Sequence, residues 1–131
     1  MDLSKLNYLA VLIAALSSFI IGGMWYSLFF AKKWQKLSGV TNEQLKRGTV
    51  KIFIGSFMLS VIMSLNLAAF IGDGGVMFGV LAGLAVGLGW VATAFGINYL
   101  FERKPFQLFL INASYSVVAF TVMGLIIGAM Q

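Results

Sequence analysis

Six side chains near the ends of long apolar runs have the greatest capacity for specific chemistry in this sequence. They combine aromatic rings, two amides and one carboxylate: Trp25, Tyr26, Asn98, Glu102, Asn112 and Tyr115. Polar groups of this kind are costly in hydrocarbon, so inside a membrane they face protein, solute or water. We therefore expect one polar and aromatic cluster that either binds a ligand or fixes the packing of helices.

Catalysis is not expected from this cluster. The chain has no cysteine and no histidine, which excludes thiol chemistry, histidine base catalysis and the usual zinc or haem ligands. The sequence also lacks a paired carboxylate, an activated nucleophile and a phosphate-binding loop. Glu102 could act as a coupling carboxylate for protons or cations, or form an interfacial ion pair with the adjacent bases Arg103 and Lys104. We predict a non-enzymatic protein with no catalytic residue, cofactor or metal.

The six residues lie at similar depth if the chain folds into helical hairpins. Pro105 interrupts a helix because it lacks a backbone donor, and Asn98 and Asn112 stand at equal distances on either side of it. Trp25 and Tyr26 lie at nearly the same depth, counted from the basic end of the first apolar run. We expect the amides of Asn98 and Asn112 to bond to each other, a contact that contributes roughly 0.6 kcal/mol in membranes.

Four apolar runs must position these residues. The chain has 131 residues, of which 60% are hydrophobic and 10% charged, a composition that indicates a membrane protein. Only a helix satisfies its own backbone in a bilayer, and the runs are long enough to cross one. They cover about residues 6–30, 50–71, 76–101 and 107–130. We predict an all-α membrane protein, with residues 1–131 forming one integral-membrane domain of four transmembrane helices in a compact bundle of two helical hairpins.

The basic segment 31–49 is predicted to be a short interfacial amphipathic element between the first and second helices. Trp34 and Leu37 would hold it at the membrane surface. Residues 41–44 match a capping box, in which Thr41 and Gln44 each bond the other's backbone N–H. A helix should therefore begin near Asn42, and it can run on into the second span with Gly48 as a weak point.

The distribution of bases predicts the orientation of the chain. Most of them fall in two loops on one side of the membrane: Lys32, Lys33, Lys36, Lys46, Arg47, Arg103 and Lys104. By the positive-inside rule, both loops face the cytoplasm and both termini lie outside. We expect a multi-pass protein of the bacterial cytoplasmic (inner) membrane whose partners are membrane lipids and not nucleic acid.

Small residues recur at helical spacing in two of the runs. Gly79, Gly83 and Gly87 follow a GxxxG pattern, which allows close packing against another helix, either within the chain or in a homo-oligomer. A hinge or a pore lining is the alternative use of such glycines. In the second run, a stripe of serines lies on one face: Ser56, Ser60 and Ser64.

Several of these elements together resemble a known family. They are the segments 22–27 (GGMWYS), 98–103 (NYLFER) and 111–115 (INASY), with Trp34 and Gly39 after the first. The chain resembles the domain of unknown function 1761 family of bacterial membrane proteins over nearly its whole length. It departs from the family pattern at Leu28, where proline often follows the serine. The resemblance implies four membrane helices and no activity.

Two hypotheses of different classes follow. The first is a membrane protein that binds a lipid, a small solute or a membrane partner at the polar and aromatic cluster on the cytoplasmic side. The alternative is a small transporter or channel-like protein with an internal polar path, and a lipid-modifying enzyme is a distant third. Most polar positions lie toward the basic side, whereas a path predicts them in both leaflets. This distribution favours binding.

Overall fold

A computed structural model describes residues 3–131, in which all regular structure is helical. Four helical segments are long and apolar enough to cross a membrane, and we call them the first to fourth spans: Tyr8–Phe29, Thr49–Ile71, Gly75–Glu102 and Phe106–Met130. The all-helical fold with four compactly packed spans, expected from the sequence, is confirmed.

The first span is helix α1 (Tyr8–Met24) followed by a π-helical turn (Trp25–Phe29). Asn7 caps its start by accepting a hydrogen bond from the Ala10 N–H at 3.1 Å. The π turn closes with a bond of 2.9 Å from the Phe30 N–H to the Trp25 carbonyl. A π turn contains about one residue more than an α turn, so it changes which side chains face the bundle.

The basic segment folds into two short helices, α2 (Ala31–Ser38) and α3 (Asn42–Lys46). The capping box predicted at Thr41 and Gln44 is confirmed, with both reciprocal bonds present. The helix that begins at Asn42 does not continue into the second span. Gly48 adopts the left-handed conformation, with φ of 64°, and the helix α4 (Thr49–Ile71) starts only after it.

The third span consists of α5 (Gly75–Val86), a second π turn (Gly87–Ala92) and α6 (Thr93–Glu102). It ends where Arg103 adopts φ of 56° and the Lys104 N–H bonds the Tyr99 carbonyl at 2.9 Å. This pattern is that of a left-handed helix cap. Pro105 follows, and the fourth span, α7 (Phe106–Met130), begins directly after it.

The glycines of the third span pack against the backbone of the fourth span in the same chain. A Cβ atom added to Gly79 or Gly83 would collide with the carbonyl oxygen of Gly124 or Phe120, respectively, and one on Gly87 would lie 2.9 Å from that of Ser116. All three glycines are buried. Their stripe is therefore occupied within the chain and is not a free face for a second copy.

Packing differs between the two ends of the bundle. Near the termini, side chains from several spans are at most 2% exposed: Val11, Ala14, Ala68, Met123 and Ile127. At the other end, which carries the basic segment and which we call the basic end, no residue from Thr49 to Leu59 is buried. The second span is thus less covered toward the basic end, where Phe19 of the first span still contacts the rings of Phe53 and Phe57, with centroid distances of 5.8 and 6.2 Å.

Hydrogen bonds at the terminal end hold three spans together. The Gln131 side-chain amide donates to the carbonyls of Ala68 and Gly72, each at 2.8 Å, and its oxygen accepts from the Asn7 backbone N–H at 3.1 Å. The Asn7 side chain donates to the Met130 carbonyl at 2.9 Å. Because the terminal end is fixed in this way, we expect relative motion of the spans to concentrate at the basic end.

Candidate functional site

The buried amide of Asn112 connects three spans near the basic end. Its side chain is 8% exposed and lies between two phenols. The Tyr26 hydroxyl of the first span donates to Asn112 Oδ1 at 2.6 Å, and Asn112 Nδ2 donates to the Tyr99 hydroxyl of the third span at 2.6 Å. Both sides of the amide are therefore paired in a part of the bundle where an unpaired polar group would be costly.

Trp25 bonds to the fourth span beside this amide. Its indole Nε1 donates to the Ile111 carbonyl at 3.0 Å, so two consecutive residues of the first span contact two consecutive residues of the fourth. Both tryptophan and tyrosine begin the π turn of the first span. That turn therefore places two aromatic side chains on the same neighbouring helix.

Tyr115 binds the first span one helical turn further toward the membrane centre. Its hydroxyl donates to the Ser18 carbonyl at 3.1 Å and lies 3.2 Å from the Ser18 hydroxyl. The absence of a side chain at Gly22 makes room for the ring, since a Cβ there would lie 3.3 Å from the Tyr115 hydroxyl.

Three aromatic rings form a continuous row in this region. The ring centroids of Tyr26 and Tyr115 are 5.4 Å apart, and those of Tyr26 and Trp34 are 5.7 Å apart, both pairs in edge-to-face geometry. Trp34 belongs to α2, which packs against the fourth span. We call the whole set the polar-aromatic cluster: Trp25, Tyr26, Trp34, Tyr99, Asn112 and Tyr115.

A cavity of about 450 Å³ lies beside this row, between the first and second spans. We call it the cleft. Its lining combines aromatic and aliphatic walls with small residues and hydroxyls: Phe19, Gly22, Gly23, Tyr26, Ser27, Trp34, Ile52, Phe53, Ser56, Ser60 and Tyr115. A smaller cavity of about 210 Å³ shares Ser56, Ser60 and Tyr115 with it and extends toward the third span.

The cleft has hydrogen-bonding capacity but no charge of its own. All of its lining residues are uncharged, and Ser60 donates its proton to the Ser56 carbonyl at 2.9 Å, which leaves its oxygen free to accept. The bases Lys33 and Lys51 are chain neighbours of the lining residues Trp34 and Ile52. This arrangement can bind and orient a molecule through hydroxyls and ring faces.

Comparison with known proteins places the chain in a family. The model of a family described as "Protein of unknown function (DUF1761)" matches residues 9–128. The chain belongs to the DUF1761 family. No curated protein and no solved structure matches it. The family resemblance predicted from the sequence is thus confirmed for this DUF1761 chain.

Four of the six predicted cluster residues come together, and two do not. Trp25, Tyr26, Asn112 and Tyr115 all take part in the bonds described above. Asn98 and Glu102 lie on exposed positions of α6. The Arg103 guanidinium, a candidate ion-pair partner of Glu102, donates to the Phe101 carbonyl at 2.9 Å. The prediction of a hydrogen bond between Asn98 and Asn112 is wrong, because the Asn112 amide bonds to the Tyr99 hydroxyl instead.

The π turn in the third span explains this exchange. In an uninterrupted α-helix, Asn98 would lie three turns beyond Gly87 on the same face, toward the fourth span. The turn Gly87–Ala92 adds about one residue to the helix. The next residue along the chain, Tyr99, therefore occupies the inward position, and Asn98 is rotated toward the exterior.

The predicted cluster also left out Trp34, Tyr99 and the serines. Tyr99 is a polar aromatic beside Asn98, and Ser56 and Ser60 are one turn apart on a single face of the second span. The spacing of the serines was a usable signal for a polar wall. No local signal marks the π turn that selects Tyr99.

Proposed function

We propose that this DUF1761 protein is a non-enzymatic membrane protein that binds an amphiphilic molecule of lipid type in the cleft. The cleft itself carries the proposal, since it pairs apolar walls with converging hydroxyls. Its volume of about 450 Å³ falls within the range of roughly 300–1,000 Å³ that is typical of small-molecule sites. The apolar chain of a lipid-type ligand matches the apolar walls, and its polar group matches the hydroxyls.

The surroundings of the cleft support entry from the bilayer. Its walls include Ile52 and Phe53, which are 57% and 55% exposed and belong to the part of the second span that contains no buried residue. An apolar chain can thus lie along the second span while a polar group reaches the hydroxyls of Tyr26, Ser56 and Tyr115. The ordered bonds from Tyr26 to Asn112 and from Tyr115 to Ser18 hold two of these hydroxyls in place beforehand, which lowers the entropic cost of binding.

Packing favours this proposal over a transport path. The terminal end is filled by side chains such as Met123 and Ile127, both 0% exposed, and it is tied by the bonds of Gln131. A transporter of this architecture would have to separate that close-packed half in every cycle. Binding at the basic end requires no such rearrangement.

We further infer that the basic end faces the cytoplasm of a bacterial inner membrane, following the positive-inside rule. Because the chain contains no cysteine, one introduced thiol reports its own side of the membrane. We expect a cysteine at Ser38 to react with a membrane-impermeant maleimide only from the cytoplasmic side, and one at Asp73 only from outside. Labelling of both variants in intact cells and in inverted vesicles measures the accessibility of each thiol. The reverse pattern would show that the chain has the opposite orientation.

Filling the cleft should displace its ligand. Gly23 lines the cleft and has no atom within 4 Å of a Cβ built on it, so Gly23→Trp can fold with its indole in the cavity. We expect this variant to lose at least about tenfold of the lipid that co-purifies at the cleft. That factor corresponds to about 1.4 kcal/mol of binding free energy. Native mass spectrometry of the protein released from mild detergent measures the retained lipid.

Gly55→Trp is the matched control for this experiment. Gly55 also belongs to a membrane helix and has open space around its Cβ position, but it does not line the cleft. We expect the control to keep both its fold and its bound lipid. Equal lipid retention by the two tryptophan variants and the unsubstituted chain would show that the cleft is not a binding site.

A further inference from the structure

A second pocket lies at the turn between the third and fourth spans, and none of its lining residues lines the cleft. It has a volume of about 260 Å³ and is formed by Gly96, Tyr99, Leu100, Lys104, Phe106 and Phe109. We call it the turn pocket. Its walls are mostly aromatic and aliphatic, and its lining residues include one tyrosine and one lysine.

The phenol of Tyr99 has a proton left to donate. The Asn112 amide accepts from Tyr26 on one side and must donate to Tyr99 on the other. A phenol oxygen both accepts and donates, and among residues 3–131 the Tyr99 proton has no acceptor within the chain. The bond from Asn112 thus leaves the Tyr99 hydroxyl able to donate, and Tyr99 is a lining residue of the turn pocket.

Lys104 supplies the charge of the turn pocket. Its side chain is exposed, and the neighbouring Arg103 directs its guanidinium to the Phe101 carbonyl. The start of α7 lies at the same turn, and no side chain within residues 3–131 caps it. The partial positive charge of that helix end adds to the field of the lysine. The two side chains and the pocket define the site, and both side chains favour an anion.

We propose that the turn pocket binds the phosphate group of an anionic amphiphile. Lys104 pairs with the negative charge, the Tyr99 hydroxyl donates a hydrogen bond to a phosphate oxygen, and Phe106 and Phe109 contact the adjoining apolar part. Their rings lie with centroids 5.7 Å apart and form one wall. The remainder of an acyl chain extends into the bilayer along Leu100, which is 80% exposed.

The test compares lipids that differ in head-group charge. The full-length protein is exposed in detergent to phosphatidylglycerol or to phosphatidylcholine of the same acyl chains, and binding is followed by native mass spectrometry. We expect phosphatidylglycerol to bind more tightly, and Lys104→Gln to weaken that binding by roughly tenfold, the scale of one charge-assisted hydrogen bond. Phosphatidylcholine binding should change much less, because the quaternary ammonium of its head group offsets the phosphate charge and is repelled by Lys104.

Lys46→Gln is the matched control, because it removes the same charge from an exposed helix at the same end of the molecule. Equal losses in the two glutamine variants would overturn the proposal and leave only a diffuse surface charge. A further titration with inorganic phosphate shows whether the turn pocket recognises free phosphate or a lipid head group. Stabilisation by inorganic phosphate that depends on Lys104 identifies a phosphate site that needs no acyl chain, whereas stabilisation by the lipid alone identifies a head-group site.

Two further variants separate the turn pocket from the cleft and from folding. Gly23→Trp, which fills the cleft, should leave the preference for phosphatidylglycerol that depends on Lys104 intact. Tyr99→Phe should reduce binding at the turn pocket, and its effect must exceed that of Tyr26→Phe, which breaks the other bond of Asn112 but touches no turn-pocket atom. Equal effects of the two phenylalanine variants would assign Tyr99 a structural role and remove it from the site.

Discussion

Replacing Gly83 with leucine should prevent the protein from folding, and replacing it with alanine should destabilise it strongly. A Cβ at this position would collide with the Phe120 carbonyl oxygen and would lie 2.8 Å from the Phe120 carbonyl carbon and 3.0 Å from Thr121 Cα. These are backbone atoms, so the third and fourth spans must separate to admit even one methyl group. We expect alanine to cost roughly 1–3 kcal/mol, the range for overpacking. Thermal unfolding in detergent measures the loss.

Gly89→Ala is the control for this prediction. Gly89 belongs to the same span, six residues further on, and nothing lies within 4 Å of its Cβ position. We expect alanine there to be neutral or slightly stabilising, because glycine within a helix costs about 0.5–1 kcal/mol relative to alanine. If both alanine variants unfolded at the same temperature, close backbone contact at Gly83 would not contribute to stability.

The comparison of the two glycines shows what the sequence could predict. The four-residue spacing of Gly79, Gly83 and Gly87 indicates a packing face, because residues at that spacing share one side of a helix. The spacing does not identify the partner helix. Close packing against another span and close packing against a second copy of the chain both require small residues at this spacing. Only the arrangement of the helices assigns the face to the fourth span.

Span positions were predictable for a more local reason. Each span needs a run of apolar residues of a length set by the bilayer, and each break has a local cause in glycine, proline or a capping residue. Gly48 and Pro105 are examples, because their backbone preferences act whatever lies around them. The four spans of the structure therefore begin and end close to the boundaries expected from the sequence.

The candidate site was less predictable because it depends on helix rotation. A shift of one residue rotates a side chain by about 100° around a helix, which is the difference between Asn98 and Tyr99 relative to Asn112. The π turns that cause such shifts carry no local signature comparable to a proline. The cleft also depends on the angle between the second span and the first, and hydropathy does not encode that angle.

Replacing Asn112 with leucine should cause a large loss of stability through hydrogen bonding. The substitution keeps a side chain of similar size but removes the amide that bonds to both the Tyr26 and the Tyr99 hydroxyls. Each of these phenols then lacks its partner within the membrane region. Hydrogen bonds in membranes contribute about 0.6 kcal/mol on average and up to about 1.7, and an unpaired buried group costs about 1–3 kcal/mol. We expect a loss of roughly 2 kcal/mol or more in thermal unfolding.

Asn98→Leu is the matched control, because it makes the same change on an exposed face of α6 at similar depth. We expect it to leave stability almost unchanged, and a loss equal to that of Asn112→Leu would refute the central role of the buried amide. Double substitution tests the coupling of the three side chains. Once Asn112 is leucine, Tyr26→Phe and Tyr99→Phe should no longer destabilise, because the hydroxyls that they remove have already lost their partner.

The same variants separate a structural bond from a functional one. Tyr26 lines the cleft and Tyr99 lines the turn pocket, so Asn112 bonds to a lining residue of each. If the amide only fixes helix register, Asn112→Leu lowers the unfolding temperature while lipid retention below that temperature stays the same. If it orients the two phenols for binding, retention at both pockets falls at temperatures where the variant is still folded. We expect the second result, because a phenol released from the amide is free to turn its hydroxyl away from a bound head group.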